Sequence, residues 1–176
     1  MVEELKDPRR VDPPFSAAER PMLEAWLEFH RTTLLIKCEG LDDSGRKARP
    51  VATSKLSLHG LVRHMAEVER NWFRRVLLRE PDTPPIWYQR GVEDSELVPL
   101  DDADWEADLA AWQAECEASR QAAARHDLED TGLGHRDPRG REISLRWIYV
   151  HMVEEYARHN GHADLIREMV DGAVGD

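Results

Sequence analysis

The stretch SLRWIYVHMVEEYARHNGHADLIREMV, residues 144–170, contains no proline and repeats its apolar side chains at helical spacing. At about 100° per residue, Ile148, His151, Met152, His159, His162, Ile166, Met169 and Val170 fall within about 60° of Glu155. Glu154, Asp164, Arg167 and Glu168 fall well away from it. The segment is predicted to be one amphipathic helix whose inward stripe carries a carboxylate and three imidazoles among hydrophobic residues. An unpaired buried carboxylate is costly, so such groups persist where they are paired or hold a metal.

Working outward, the prolines divide the chain. They stand at 8, 13, 14, 21, 50, 81, 84, 85, 99 and 138 and leave four long stretches free, at 22–49, 51–80, 100–137 and 139–176. Proline removes a backbone donor and clashes with the preceding turn, so these stretches are the candidate helices. In the first, Leu23, Trp26, Leu27, His30 and Leu34 share a face before Gly40 ends the run. In the second, Leu58, Leu61, Met65, Val68, Trp72 and Val76 do so, and Pro81 stops it. The third opens on Asp101, Asp102 and Asp104, acids that suit a helix N-terminus, and continues through Trp105, Leu109, Trp112 and Cys116. No segment alternates long enough to be a strand. The expected fold is all-α, a four-helix bundle with long connecting loops at 81–100 and 127–142. Residues 1–15 read as a polar, poorly ordered leader, and 16–176 as a single domain.

Composition narrows the function. The 176 residues are 41% hydrophobic and 34% charged, with a formal net charge of −11. That acidic balance, with a pI near 5.2, argues against nucleic acid as a partner. No apolar run approaches ~18 residues, so no membrane span is expected. The first residues lack the basic and apolar regions of a signal peptide, which predicts a cytoplasmic protein. Two cysteines, Cys38 and Cys116, make neither a disulfide framework nor a zinc knuckle and read as small hydrophobes. The charges at Arg74, Arg75, Glu115 and Glu117 read as solvated faces.

His64 lies on the Leu61, Met65 and Val68 face of the second segment and should point inward, toward Glu155 and His159. Two histidines and a carboxylate from two helices make a three-donor metal site of the kind zinc favours. Each residue also has a plainer reading. His64 alone would be a hydrogen-bonded core histidine, and Glu155 would pair with Arg63 or Arg158. His30, His59, His126 and His135 have no such company and read as surface or packing residues. The metalloprotease helix pattern is absent, because Met152 rather than glutamate follows His151. Nothing resembles a phosphate-cradling glycine loop or a nucleophile elbow.

The segments LVRHMAEVERNWF (61–73) and HMVEEYARHNGHADL (151–165) resemble the DinB-like superfamily of bacterial metal-binding four-helix bundles. The first is similar to the superfamily's single-histidine helix, the second to its ligand pair followed by a glycine. The resemblance covers about residues 16 to 172. It implies a divalent-metal site, usually in a homodimer. Many members carry three histidines, the last two spaced four apart. Glu155 departs from that pattern, and the His-Glu-His set resembles the mycothiol-dependent maleylpyruvate isomerase of the superfamily.

Carried over, His64, Glu155 and His159 would be the ligands. His151 and His162 would stand behind them, serve as an alternative ligand, or take a catalytic part. The implied cofactor is a divalent metal, zinc first, with nickel, iron and manganese as the other candidates. The implied activity is that of a thiol transferase. A metal-held low-molecular-weight thiol, mycothiol or bacillithiol, would attack a small electrophilic substrate. The alternatives are a metal-dependent hydrolase and a non-catalytic metal-binding or stress protein.

Overall fold

The structure, a computed structural model, describes residues 7–98, 101–132 and 141–174. The first six residues of the expected leader, Pro99, and His135 with the glycines at 134 and 140 lie outside the described residues. Within them the fold is all-α apart from one two-stranded ribbon.

The helices begin and end where local chemistry allows. Helix α1 spans Glu19–Cys38. Pro21 falls in its first turn, where no backbone donor is required, so the helix starts earlier than the proline-free stretch predicts. Gly40, at φ +75°, turns the chain just beyond its end. A short helix that periodicity did not reveal, α2 (Asp43–Lys47), is capped by Asp42, which accepts from the Gly45 amide at 2.7 Å.

Helix α3 (Leu58–Glu69) is capped by Ser57 and runs directly into a π-helical segment, Arg70–Leu77. Asp104 caps α4 (Trp105–Ala123), and Ser144 caps α5 (Leu145–Asp171), which ends at Gly172 with φ +80°. Strands β1 (Thr131–Gly132) and β2 (Ile143–Ser144) pair antiparallel; at two residues each they are too short for any alternation to appear. Gly132 lets β1 press on the π-helical segment, since a Cβ there would lie 2.3 Å from the Val76 carbonyl oxygen.

One core joins the long helices: Leu27 and Leu34 from α1, Leu61 and Met65 from α3, Trp112 from α4, and Ile148, Met152 and Ile166 from α5. Helix α1 packs along α5, and α3 with its π-helical extension packs on α4. At the centre sits a polar cluster. Arg31 of α1 donates through Nε and a terminal nitrogen to the two oxygens of Glu69, at 2.8 and 2.7 Å. The Tyr156 hydroxyl of α5 donates to the same carboxylate at 2.8 Å, and Trp112 Nε1 of α4 donates to that hydroxyl at 2.9 Å. Glu69 is 0% exposed, so its charge is compensated entirely from within.

Several expectations are corrected. Trp26 does not join the core; it is 42% exposed and packs against Phe29 and His30. Glu115 is buried rather than solvated, because Arg70 and Arg74 of the π-helical segment reach it. Met169 is exposed although it shares the angular sector of Glu155. The 81–100 loop also contributes to the core, through Ile86 and Trp87 packed against it. Cys38 and Cys116 are buried free thiols, as read from the sequence.

Removing one member of a buried ion pair strands the other, at a cost of about 3–5 kcal/mol. Arg31→Met is therefore expected to lower the unfolding free energy by about that amount. Gly161→Ala, in α5 with nothing within 4 Å of the added methyl, is expected to raise it by about 0.5–1 kcal/mol. Urea titration of the two variants checks both signs.

Candidate metal centre

The register of α3 against α5 brings His64 to Glu155 and His159. One donor atom from each of the three lies within 4.8 Å of the others. His159 Nε2 is 3.5 Å from Glu155 Oε2, and the His64 and His159 ring centroids are 4.7 Å apart. All three side chains are half-buried, at the rim of the core rather than inside it.

Each of the three has a neighbour on its outer side. Glu96 Oε1 lies 3.1 Å from His64 Nδ1. His151 Nε2 lies 3.4 Å from Glu155 Oε1, the oxygen not facing His159. His162 Nδ1 lies 3.4 Å from His159 Nδ1. The His151 ring is itself held between two indoles, stacked on Trp147 at 4.9 Å and edge-on to Trp72 at 4.7 Å. Both histidines of the trio thus have Nδ1 engaged from behind. In His159 the other nitrogen faces the shared space.

The electrostatics follow from these contacts. The His159 hydrogen bond lowers the pKa of Glu155, outweighing the burial that raises it, and the charges of His151, His159 and His64 add to the lowering. Glu96 is lowered in the same way, by its bond to His64 first. Burial lowers His162, which favours a neutral ring there. Neither Arg63 nor Arg158 pairs with Glu155: Arg63 lies over the Trp87 ring, and Arg158 pairs with Glu154. A second set, His151, Glu154 and Glu155, also brings donor atoms within 4.8 Å, but Glu154 is exposed and already engaged by Arg158.

Beside the trio opens a cavity of about 280 Å³, lined by His64, Val68, Trp72, Tyr88, Glu96 and Glu155. The segment carrying Tyr88 and Glu96 is not a passive connection. Glu67, one turn after His64 and buried, accepts through a single oxygen the backbone amides of Ile86, Trp87 and Tyr88, at 2.7, 2.6 and 2.9 Å. Ser95 Oγ accepts from the Gln89 amide at 2.7 Å, and Leu97 is buried beside Gly60. Helical spacing cannot find Glu67 or Glu96, because one serves loop amides and the other stands in the loop. Their only signal is a long loop with acids at both of its docking points.

The remaining described histidines lie elsewhere. His59 is fully buried, with Nε2 2.8 Å from Asp108 Oδ2. Asn160 Nδ2 donates to the His30 carbonyl at 3.0 Å. His126 Nδ1 lies 2.8 Å from the Ala122 carbonyl oxygen. All three are packing or capping residues.

A match to a family model places the chain in the DinB-like superfamily. Within it, the family model described as mycothiol-S-transferase matches residues 22–172, and the chain is a member of that family. A comparison with curated proteins finds no match.

Hydrogen bonds to a charged group contribute about 1.5–3 kcal/mol each, and Glu67 makes three. Glu67→Ala is expected to lower stability by at least about 1.5–3 kcal/mol. It should also speed amide hydrogen exchange at residues 86–88 and expose the loop to limited proteolysis. Exchange rates at 86–88 equal to wild type would contradict the anchoring role.

Proposed function

We propose that this chain is a divalent-metal-dependent thiol transferase, built as one four-helix bundle domain over residues 16–176. The observation that carries the reading is the convergence of His64, Glu155 and His159 beside a cavity, in a member of the mycothiol-S-transferase family. Two imidazole nitrogens and an ionised carboxylate match the donor preference of zinc, with nickel, iron and manganese as the other candidates. Were zinc held by these three donors, a position would remain for a small molecule. A cation held there would supply positive charge that favours a thiolate over a thiol near neutral pH.

The protein's own residues do the rest. Glu155 and His159, one turn apart on α5, and His64 on α3 hold their donors toward one point. Trp72 and Tyr88 give the cavity apolar walls against which a small electrophile packs. His151 and His162 stand close enough to receive or return a proton, and burial keeps His162 disposed to the neutral form. The thiol is mycothiol or bacillithiol, of which the family description favours the first. No described helix is long and apolar enough to cross a membrane; a cytoplasmic location fits a consumer of cellular thiol. Trp147, Val150, Leu165 and Met169, all exposed on α5, support a homodimer with a second copy covering them.

His159→Ala is expected to lose most bound metal while keeping its helical signal, and His126→Ala to retain it. Equal retention by the two variants removes the ligand assignment. In cobalt-substituted protein, mycothiol is expected to add a strong sulfur-to-metal absorption. An unchanged spectrum across a panel of cellular thiols passes the reading to metal-dependent hydrolysis or to metal binding without catalysis.

A further inference from the structure

The carboxylate behind His64 has no counterpart in the helical pattern, and its placement is specific. Residues 86–98 leave α3 far enough to wall the cavity, then return so that Glu96 meets the ring of His64 at Nδ1, 3.1 Å away. Several contacts fix that return. Glu67 gathers the amides at 86–88, Ser95 receives the Gln89 amide, and Lys55 pairs with Asp94 at 3.0 Å. Asp94 takes a positive φ of 58°, and its carbonyl accepts the amides of Leu97 and Val98. A non-glycine residue in this region is uncommon and is held by its surroundings. Glu96 Oε1 faces the histidine, while Oε2 is buried without a hydrogen-bond partner. The carboxylate is thus withdrawn from water and turned to the ring.

We propose that Glu96 is a positioning residue for the metal centre: it holds His64 as the tautomer protonated on Nδ1, leaving Nε2 as the donor atom. The inference rests on the ligand assignment proposed above. A neutral imidazole carries one N–H, and the partner of one nitrogen decides which atom is bare. A carboxylate accepts only, so Glu96 places the proton on Nδ1. The bare nitrogen is then the one on the far side of the ring. A carboxylate in this position also raises the basicity of the ligand nitrogen, and removing such partners typically costs 10- to 100-fold in metal affinity. The loop that walls the cavity therefore also completes the metal centre.

Two measurements on the full chain separate this inference from the reading beneath it. The first uses metal-free protein at alkaline pH, where imidazoles are neutral. Nitrogen chemical shifts of His64 are expected to show the Nδ1–H form in wild type and a shift toward the Nε2–H form in Glu96→Ala. The second is zinc affinity, by competition with a chromophoric chelator. Glu96→Ala is expected to bind about 10- to 100-fold more weakly. Glu96→Gln, whose amide oxygen still accepts from Nδ1–H, keeps the tautomer and falls between the two. The helical signal of each variant confirms its fold. An unaltered His64 tautomer in Glu96→Ala overturns the proposal, as does unaltered zinc affinity in that variant. If wild type binds no zinc, nickel, iron or manganese, the ligand assignment falls, and the tautomer still decides whether Glu96 sets the state of His64.

Discussion

The Glu69 carboxylate, buried at the centre of the molecule, has to be matched by donors from every long helix around it. Arg31 supplies a two-pronged charge from α1, Tyr156 a hydroxyl from α5, and Trp112 of α4 orients that hydroxyl. A buried ion pair is poor value as stabilisation, since desolvation consumes most of the Coulombic gain. What it supplies here is register. If α5 slid one residue along α3, Tyr156 would leave Glu69, and an uncompensated charge would remain in an apolar core. Glu155 precedes Tyr156, and His64 lies five residues before Glu69. The alignment that satisfies the core is thus the one that brings the two imidazoles and the carboxylate together.

The trio and the central cluster differ in what surrounds them. Glu69 is closed off on all sides, whereas Glu155, His64 and His159 stand at the core's edge with a cavity beside them. Burial raises the pKa of Glu155, whereas hydrogen bonding to His159, and after it the charge of the neighbouring histidines, lowers it. The lowering wins, so the group stays ionised through the neutral range. The sign of the linkage follows: this contribution to stability is present above the ordinary glutamate value and is lost as pH falls through the lower folded-state value.

Much of the helical frame was legible in the sequence because it rests on local rules. Proline positions, apolar spacing and the caps at Asp104 and Ser144 mark three of the long helices within a few residues. His64, Glu155 and His159 were legible for the same reason, each standing at a helical interval from core residues. Glu69, Arg31 and Glu115 were not, because a charge on a helix looks solvated until its partner on another helix is known. Glu67 and Glu96 were hidden more deeply: their roles depend on the path of the 86–98 loop, which has no period to read. The π-helical segment carries the same lesson, since no residue in RNWFRRVL announces the wider turn.

The protein's own sulfur also bears on the proposed chemistry. Cys38 is fully buried, and its thiol is pushed up to about 12 by loss of solvent. Cys116 is pushed up further, by burial first and then by the nearby charge of Glu69. A thiol acts as nucleophile or soft ligand only as the thiolate. Neither cysteine reaches that state near neutral pH, and neither belongs to a donor set among the described residues. A thiolate in the cavity would have to come from a separate molecule. For the proposed reaction the same burial matters, because an accessible protein thiolate would compete for the open position and for the electrophile. On the proposed reading, the division is strict: the helices supply nitrogen and oxygen donors, the loop shapes the cavity, and the reactive sulfur enters with the cosubstrate.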